Sequence, residues 1–315
     1  MLGSHNHLLM SRDRPFRYCF TRRLRLRTFF FAAIGFALLT RTATAQLAES
    51  IASVGTESYP YSHLLDGSQR QAKNDLLRAT LTLPLRLSRQ TLLLLGVAYE
   101  QFDAQLRGDE FQRLPTLRSL VGSFGYVQNF GSFTGIAIVS AGKASEFSDE
   151  SSRGGNVFTL SGIGLYKLSD SFSVGTGISY DPRKGTPTPL PAVKIHWRFT
   201  EYMQLRGFIP SRLDLELRAN RWVTGGIRAA LNDNRYQLAT ATHGVSQIDY
   251  LTVAVGPKLT LSAGDWVHLD LYASAVVYRH YDLYHGETNA GGVSIAPAVA
   301  FGVRLWIGPS PWTRR

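Results

Sequence analysis

The sequence predicts an all-β protein, a transmembrane antiparallel up-and-down β-barrel of about 14 strands, with about 12 as the alternative. Three observations predict it. Apolar and polar residues alternate with period two along most of the chain, connections are short at one end and mostly long at the other, and a leader of the kind that directs export comes first.

The alternation gives the strands two unlike faces. In "RATLTLPLRL" Ala79, Leu81, Leu83, Leu85 and Leu87 oppose Arg78, Thr80, Thr82, Pro84 and Arg86. In "VKIHWRF" Val193, Ile195, Trp197 and Phe199 oppose Lys194, His196 and Arg198, and in "RLDLELRAN" Leu213, Leu215, Leu217 and Ala219 oppose Arg212, Asp214, Glu216, Arg218 and Asn220. "WVHLDLYASAVVY" sets Val267, Leu269, Leu271, Ala273, Ala275 and Val277 against His268, Asp270, Tyr272 and Ser274. "VAFGVRLWI" sets Val299, Phe301, Val303, Leu305 and Ile307 against Ala300, Gly302, Arg304 and Trp306. After the leader no apolar run approaches the length of about 20 residues that a membrane helix needs.

A soluble sandwich also alternates, so the connections carry the distinction. The short turns "LSRQT", "QNFGS", "LSDSF", "FTEYM", "ANRWV" and "LSAGDW" alternate with "YPYSHLLDGSQRQAKN", "DAQLRGDEFQRLP", "KASEFSDESSRGG", "DPRKGTPTP", "LNDNRYQLATATHGVSQ" and "HYDLYHGETNAGG", with one tight exception at "IPSR". Such asymmetry belongs to membrane barrels. The first strand, near "ESIASVGTESY", and the region Arg221 to Gln247 are the least defined by pattern. Tyr99, Phe102, Tyr126, Phe130, Tyr166, Phe172, Tyr180, Phe199, Tyr202, Trp222, Tyr250, Trp266, Tyr278 and Trp306 fall near predicted strand ends, where aromatic girdles are expected.

The leader is read as residues 1–45, a signal peptide cleaved before Gln46, with residues 46–315 as the barrel and Met1 or Met10 as the start. "TRRLRLRT" precedes the 11-residue apolar stretch Phe29 to Leu39, and Ala43-x-Ala45 fits signal-peptidase cleavage. Eight arginines and one aspartate of this segment carry +7 of the chain's +11, leaving 26 basic against 22 acidic residues. The basicity that would point to nucleic acid therefore lies mostly in the removed part, and no nucleic-acid partner is expected. The one cysteine, Cys19, is in the leader, so the exported chain is expected to have neither a disulfide nor a thiol nucleophile.

The same strands carry residue types that could do chemistry. His268 and Ser274 share a face but stand six residues apart, roughly 20 Å along a strand, too far for a nucleophile and its base. No Gly-x-Ser-x-Gly, His-Glu-x-x-His or phosphate-binding glycine loop occurs. His280, His285, Asp282 and Glu287 in "YRHYDLYHGE" read as solvated loop residues rather than metal ligands. No catalytic residue, metal or cofactor is expected. Charged side chains opposite the apolar face would instead line a lumen: Arg78, Arg86 and Glu100; Arg118; Lys194, His196 and Arg198; Asp214, Glu216 and Arg218; Arg228; Lys258; His268 and Asp270; and Arg304. Facing hydrocarbon near the midplane, an arginine or lysine would cost about 2 to 4 kcal/mol.

The segment "LPAVKIHWRFTEYMQLRGFIPSRLDLELRANRWVTGGIRAAL", with Pro210 at a strand end and Gly225 and Gly226 in the following hairpin, resembles the porin-like bacterial outer-membrane β-barrel proteins of unknown function. "LYKLSDSFSVGTGISYD" resembles a hairpin unit common among such barrels, and the last strand is similar to the signal read by the barrel-assembly machinery, with Gly302, Leu305 and Ile307 at its glycine and apolar positions. Two departures are that Ala300 stands where a polar residue is usual and that "GPSPWTRR" follows the strand. The resemblance implies the bacterial cell outer membrane, with its lipids, its lipopolysaccharide and the assembly machinery as partners. The expected function is passive passage of small polar or anionic solutes. The alternatives are a non-conducting structural or adhesive barrel with ligand-binding extracellular loops and, third, a lipid-modifying enzyme in which His196, His268 or Ser274 would matter.

Overall fold

The computed structural model describes residues 50–66, 68–107, 112–113, 115–147, 155–181, 189–238, 246–286 and 288–312. The expected leader, its cleavage before Gln46, the choice between Met1 and Met10, Cys19 and Glu287 lie outside these residues. The strand segments are β1 (Ala52–His63), β2 (Gln71–Arg86), β3 (Thr91–Arg107), β4 (Gln112–Arg113), β5 (Leu117–Phe130), β6 (Phe133–Ser145), β7 (Asn156–Lys167) and β8 (Phe172–Tyr180). They continue with β9 (Leu190–Arg198), β10 (Met203–Ile209), β11 (Arg212–Arg218), β12 (Val223–Gln237), β13 (Gln247–Ala263), β14 (Val267–His285), β15 (Thr288–Ser294) and β16 (Ala298–Ile307).

Fourteen of them close an antiparallel barrel, and the two short ones extend it: β4 pairs with the end of β3, and β15 pairs with the far end of β14. Closure is made by the first and last strands, in register from Ala52↔Ile307 to Ser58↔Phe301. Beyond Pro297 the isolated pair Leu64↔Ile295 carries the same seam further. Fourteen strands, not twelve, are therefore present.

The outer face is apolar and exposed: Ile178 (61 %), Phe301 (59 %), Val277 (57 %), Ile227 (53 %) and Leu120 (47 %) represent a belt that runs round the strands. Soluble monomers rarely present a contiguous apolar surface beyond a few hundred Å², so a belt round the whole barrel matches hydrocarbon rather than water. Phe130, Phe133, Tyr166, Trp197, Tyr202 and Trp222 are exposed at its short-turn border, in agreement with a girdle there. Phe102, Tyr250 and Trp306 depart from that expectation: all three point inward and are buried. Arg118 also departs, in the opposite sense, because it shares the outer face of β5 with exposed Leu120 and Phe124 and so does not line the lumen.

The six short turns lie where expected, and four repeat one device. Ser88 Oγ accepts from the amides of Gln90 and Thr91 at 3.1 and 3.0 Å, and Ser169 Oγ accepts from those of Ser171 and Phe172 at 3.2 and 3.0 Å. Thr200 Oγ1 accepts from Tyr202 and Met203 at 3.2 and 3.1 Å, and Asn220 Oδ1 from Trp222 and Val223 at 2.8 and 3.0 Å. A short polar side chain thus takes over amides that the tight reversal would leave unpaired. The turn at Gly131 uses a positive φ of 83° instead, with its amide held by Asn129 Oδ1 at 2.8 Å.

The expected long loops are shorter than the sequence indicated, because β1, β3, β12 and β14 run on into them. Above the belt the outer face turns polar, with Lys73 and Asp75 on β2 and Gln101, Asp103 and Gln105 on β3, so the two-faced pattern fades while the ladder continues. There the opposite walls also meet. Phe102 of β3 stacks on Tyr250 of β13 at 4.7 Å between ring centroids, and Gln237 of β12 pairs in parallel with Ser145 of β6. Leu76, Leu117, Val157, Tyr236, Ile248 and Tyr281 belong to this core, which fills the long-loop half of the barrel between β1–β7 and β12–β15. Strands β8–β11 lie outside that pinch.

Replacing Asn220 or Ser169 by Ala removes two acceptor contacts each and is expected to lower unfolding free energy by about 1 kcal/mol per turn, measured by urea unfolding in lipid vesicles. Ser132, which caps no such turn, should tolerate the same change.

Candidate functional site

The inward face below the core divides into unlike walls. On β3, β5, β6 and β7 it is apolar: Leu92, Leu94, Val127 and Ile136 are packed together with Ile138, Ile163 and Leu165. On β7 and β8 toward the long-loop end it is small and polar, where Ser161 and Ser179 share a hydrogen bond of 2.8 Å beside Gly177. On β10–β14 it is ionic.

The ionic wall is built on two buried carboxylates of β11. Asp214 receives Arg212 at 2.5 Å, Lys258 at 3.3 Å and Arg228 at 3.4 Å. Glu216 receives Lys258 at 2.5 Å, Arg206 at 2.9 Å and the Gln204 amide at 2.8 Å. The antiparallel register explains the convergence: Asp214 lies opposite Arg206 and Arg228, and Glu216 lies opposite Gln204 and Gly226, whose missing side chain lets Lys258 of β13 reach across. Next along, Asp270 accepts from Thr260 at 2.7 Å. Both nitrogens of His268 are engaged, Nδ1 with Ser262 Oγ at 2.8 Å and Nε2 with the Gly308 carbonyl at 3.2 Å, and its ring stacks on Trp306 at 3.9 Å.

A second polar group borders the core. Glu100 receives Arg78 at 2.6 Å, and the Tyr236 hydroxyl and Asn234 amide donate to its other oxygen. Glu57 receives the hydroxyls of Tyr59 at 2.8 Å and Tyr272 at 2.7 Å. The Tyr272 ring lies across Gly302 and under Arg228, whose guanidinium is 4.5 Å from the ring centroid; a methyl group at 302 would overlap that ring. At the long-loop end Asp66 sits in solvent, where the Ser68 side chain and amide, with Arg70 behind them, hold its carboxyl down to about 2.

At the short-turn mouth the chain beyond β16 turns under the barrel. The amides of Gly308 and Ser310 donate to the carbonyls of Trp266 and Asp265 at 2.9 and 2.8 Å. From there the tail reaches β9 and β11: Arg198 donates to the Pro311 carbonyl at 3.4 Å, and the Arg218 guanidinium lies 5.8 Å from the Trp312 ring centroid.

The expected lumen residues thus fall into groups. Asp214, Glu216, Arg228, Lys258 and Asp270 form one cluster, beside His268; Arg78 and Glu100 belong to the core border; Lys194 and His196 face inward on β9, with His196 3.3 Å from Gln204. Arg198, Arg218 and Arg304 stand at the mouth, Arg304 bonding Ser50 at 3.2 Å. Arg86 is exposed on the rim, bonding the Ser88 carbonyl at 3.0 Å, and does not line the passage. His196, His268 and Ser274 are not brought together. Around His280, Nδ1 meets Ser294 Oγ at 2.8 Å and Nε2 meets Asp282 at 3.2 Å; among the described residues no group of three or more His, Cys, Asp or Glu side chains is arranged to hold a metal ion.

Arg206, Arg212 and Glu57 are further members that the sequence reading left out. The first two keep the alternation of Gln204 and Asp214, so the pattern contained them. Arg279 was hidden by a bulge: Val253 pairs with Tyr278 and Ala254 with Val276, so alternation slips by one and Arg279 turns inward to full burial, donating to Ala72 and Asn74.

No protein-family model matches the sequence. No curated protein matches it either. Among solved structures the barrel is similar to the translocator domain of the autotransporter NalP from Neisseria meningitidis, at a TM-score of 0.31 and 10% identity over 90% of this chain and 95% of that one. It is also similar to the β domain of the Bordetella autotransporter BrkA (TM-score 0.32, 14% identity, 80% and 97%) and to the monoaromatic hydrocarbon channel TodX (0.34, 11%, 81% and 88%). The likeness to these outer-membrane barrels is one of general form; the closed ring itself is read from this chain's own ladders.

Asp214→Ala would leave Arg212, Arg228 and Lys258 facing one another and is expected to cost about 3 kcal/mol or more in the same unfolding assay. Replacing Asp214 and Lys258 together by Leu and Met should recover part of that loss. A double variant no better than Asp214→Ala would show that the pair does not act as a unit.

Proposed function

We propose that this protein is an outer-membrane channel that admits small anionic solutes from the short-turn side, which is the periplasmic side in that orientation. The single observation that carries the reading is the ionic inner wall, where Arg206, Arg212, Arg228 and Lys258 outnumber Asp214, Glu216 and Asp270, with Lys194 on its long-loop side and Arg198, Arg218 and Arg304 toward the mouth. An inner face biased to one sign raises the local concentration of the opposite ion. The small residues Ser161, Gly177 and Ser179, outside the pinch, support a narrow path past the core.

The apolar belt supports membrane residence, with lipid and lipopolysaccharide against it and the barrel-assembly machinery acting at insertion. The filled long-loop half favours the second reading, a non-conducting barrel whose loops bind a surface partner.

Purified folded protein in planar bilayers is expected to conduct, with chloride preferred over potassium in a salt gradient. Lys194→Glu should reduce that preference roughly threefold or more, since one charge reversal in a narrow pore acts on both ions. Removal of residues 309–315 should raise conductance by clearing the mouth. Silent bilayers from wild-type and tail-deleted protein alike would refute the channel and leave the structural barrel.

A further inference from the structure

The inside of this barrel is not polar all round. Membrane barrels of this kind have polar interiors, yet Ile138 on β6 and Ile163 and Leu165 on β7 turn inward and pack on Leu92, Leu94, Val127 and Ile136. These three are half-buried, so part of their surface still borders the lumen. Counted round the fourteen-strand ring, β3–β7 stand opposite β11–β14, which sets the apolar wall across from the ionic one. The levels match too: Leu92 and Leu165 on one side, and Glu216 and His268 on the other, each follow within a few residues of a short turn.

The two chemistries also meet along one row of the sheet. Leu165 is opposite Gly175, Gly175 opposite Lys194, and Lys194 opposite Phe208. Leu165 leans over Gly175, where a methyl group would overlap it, and so brings apolar surface to the strand next to Lys194. Two strand spacings, roughly 10 Å, separate the Leu165 and Lys194 backbones. In the next row His196 is opposite Arg206, which Glu216 holds at 2.9 Å. Lys194 and Phe208 are half-buried like the apolar bank, so accessible space lies against both. Apolar surface facing water is unfavourable in proportion to its area, and a solute with an apolar body would cover it while a cation beside it holds a carboxylate. An inorganic anion would engage only one bank, and a neutral hydrocarbon only the other.

We propose that the lumen beside β6–β10 binds monocarboxylates with an apolar body, a ring or a short chain, the carboxylate at Lys194 with Arg206 behind it and the body against Ile138, Ile163 and Leu165. This rests on the channel reading for the lumen and names the solute class that the passage selects.

The test compares cyclohexanecarboxylate with quinate, which has the same ring and carboxylate with hydroxyl groups added, on full-length protein. In planar bilayers cyclohexanecarboxylate is expected to halve the chloride current at a concentration roughly tenfold below that of quinate. Ile163→Asn with Leu165→Asn should bring the two half-blocking concentrations within about twofold of each other. Because that double change can fail to fold, Lys194→Gln is a second measure: it should raise both concentrations together, by about fivefold. Ligand-observed saturation-transfer NMR on protein in vesicles, corrected against protein-free vesicles, reads the same preference where no current flows. Equal action of the two carboxylates on the wild type, a preference that survives the changes at 163 and 165, or block indifferent to Lys194→Gln each overturns the site. Chloride current without the preference removes the site alone, and the preference by NMR with silent bilayers removes the channel reading alone.

Discussion

In a strand whose outer face meets hydrocarbon, every amide and carbonyl has to be satisfied by a neighbouring strand, and the β1–β16 ladder is where this chain meets that requirement. The rest of the architecture follows from closing the ring at fourteen strands. About eight strands enclose a space that side chains alone can fill, whereas fourteen in a round cross-section enclose too much. The chain resolves this by flattening its long-loop half until opposite walls touch. Phe102, Tyr236, Tyr250 and Tyr281 bridge the remaining distance with large rings, and the tyrosines bring hydroxyls that need partners. Glu100 answers for Tyr236, and Arg78 neutralises Glu100, so the aromatic core and the first polar group below it are one construction.

The ionic wall obeys the opposite economy. Asp214 and Glu216 are almost wholly removed from solvent, and a buried carboxylate persists when hydrogen bonds and opposite charge surround it. Here each is served by at least two cationic side chains, and Lys258 serves both. The apolar wall of Leu92, Leu94, Val127 and Ile136 offers no polar partner, so the charges turn to one another along β10–β13. Removing one member therefore unbalances several contacts at once, which makes the cluster a rigid lining rather than a set of separate surface pairs.

Much of this was legible in the sequence because lipid imposes alternation residue by residue. The six short turns, the outward set on β9, β11, β14 and β16, and the inward Asp214, Glu216, Lys258 and Asp270 all follow from period two. What escaped did so where that pressure stops. Above the belt both faces of β1, β3, β12 and β14 are mixed, so strand read as loop. The bulge at Val253/Ala254 shifts phase by one residue and conceals Arg279. The pinch is a contact between strands distant in order, β6 with β12 and β3 with β13, and alternation within a strand carries no information about which strand lies opposite. Phe102 and Tyr250 accordingly carry the pattern of girdle residues although their rings close a core.

The short β10–β11 turn and the pinch depend on each other. Strand β12 leaves β11 after Ala230↔Arg212 and meets Ser145 of β6 at Gln237, and among the described residues no strand pairs with that edge between them. The turn at Pro210 and Ser211 thus sets how far β11 accompanies β12, and β12 approaches β6 beyond the point where that pairing ends.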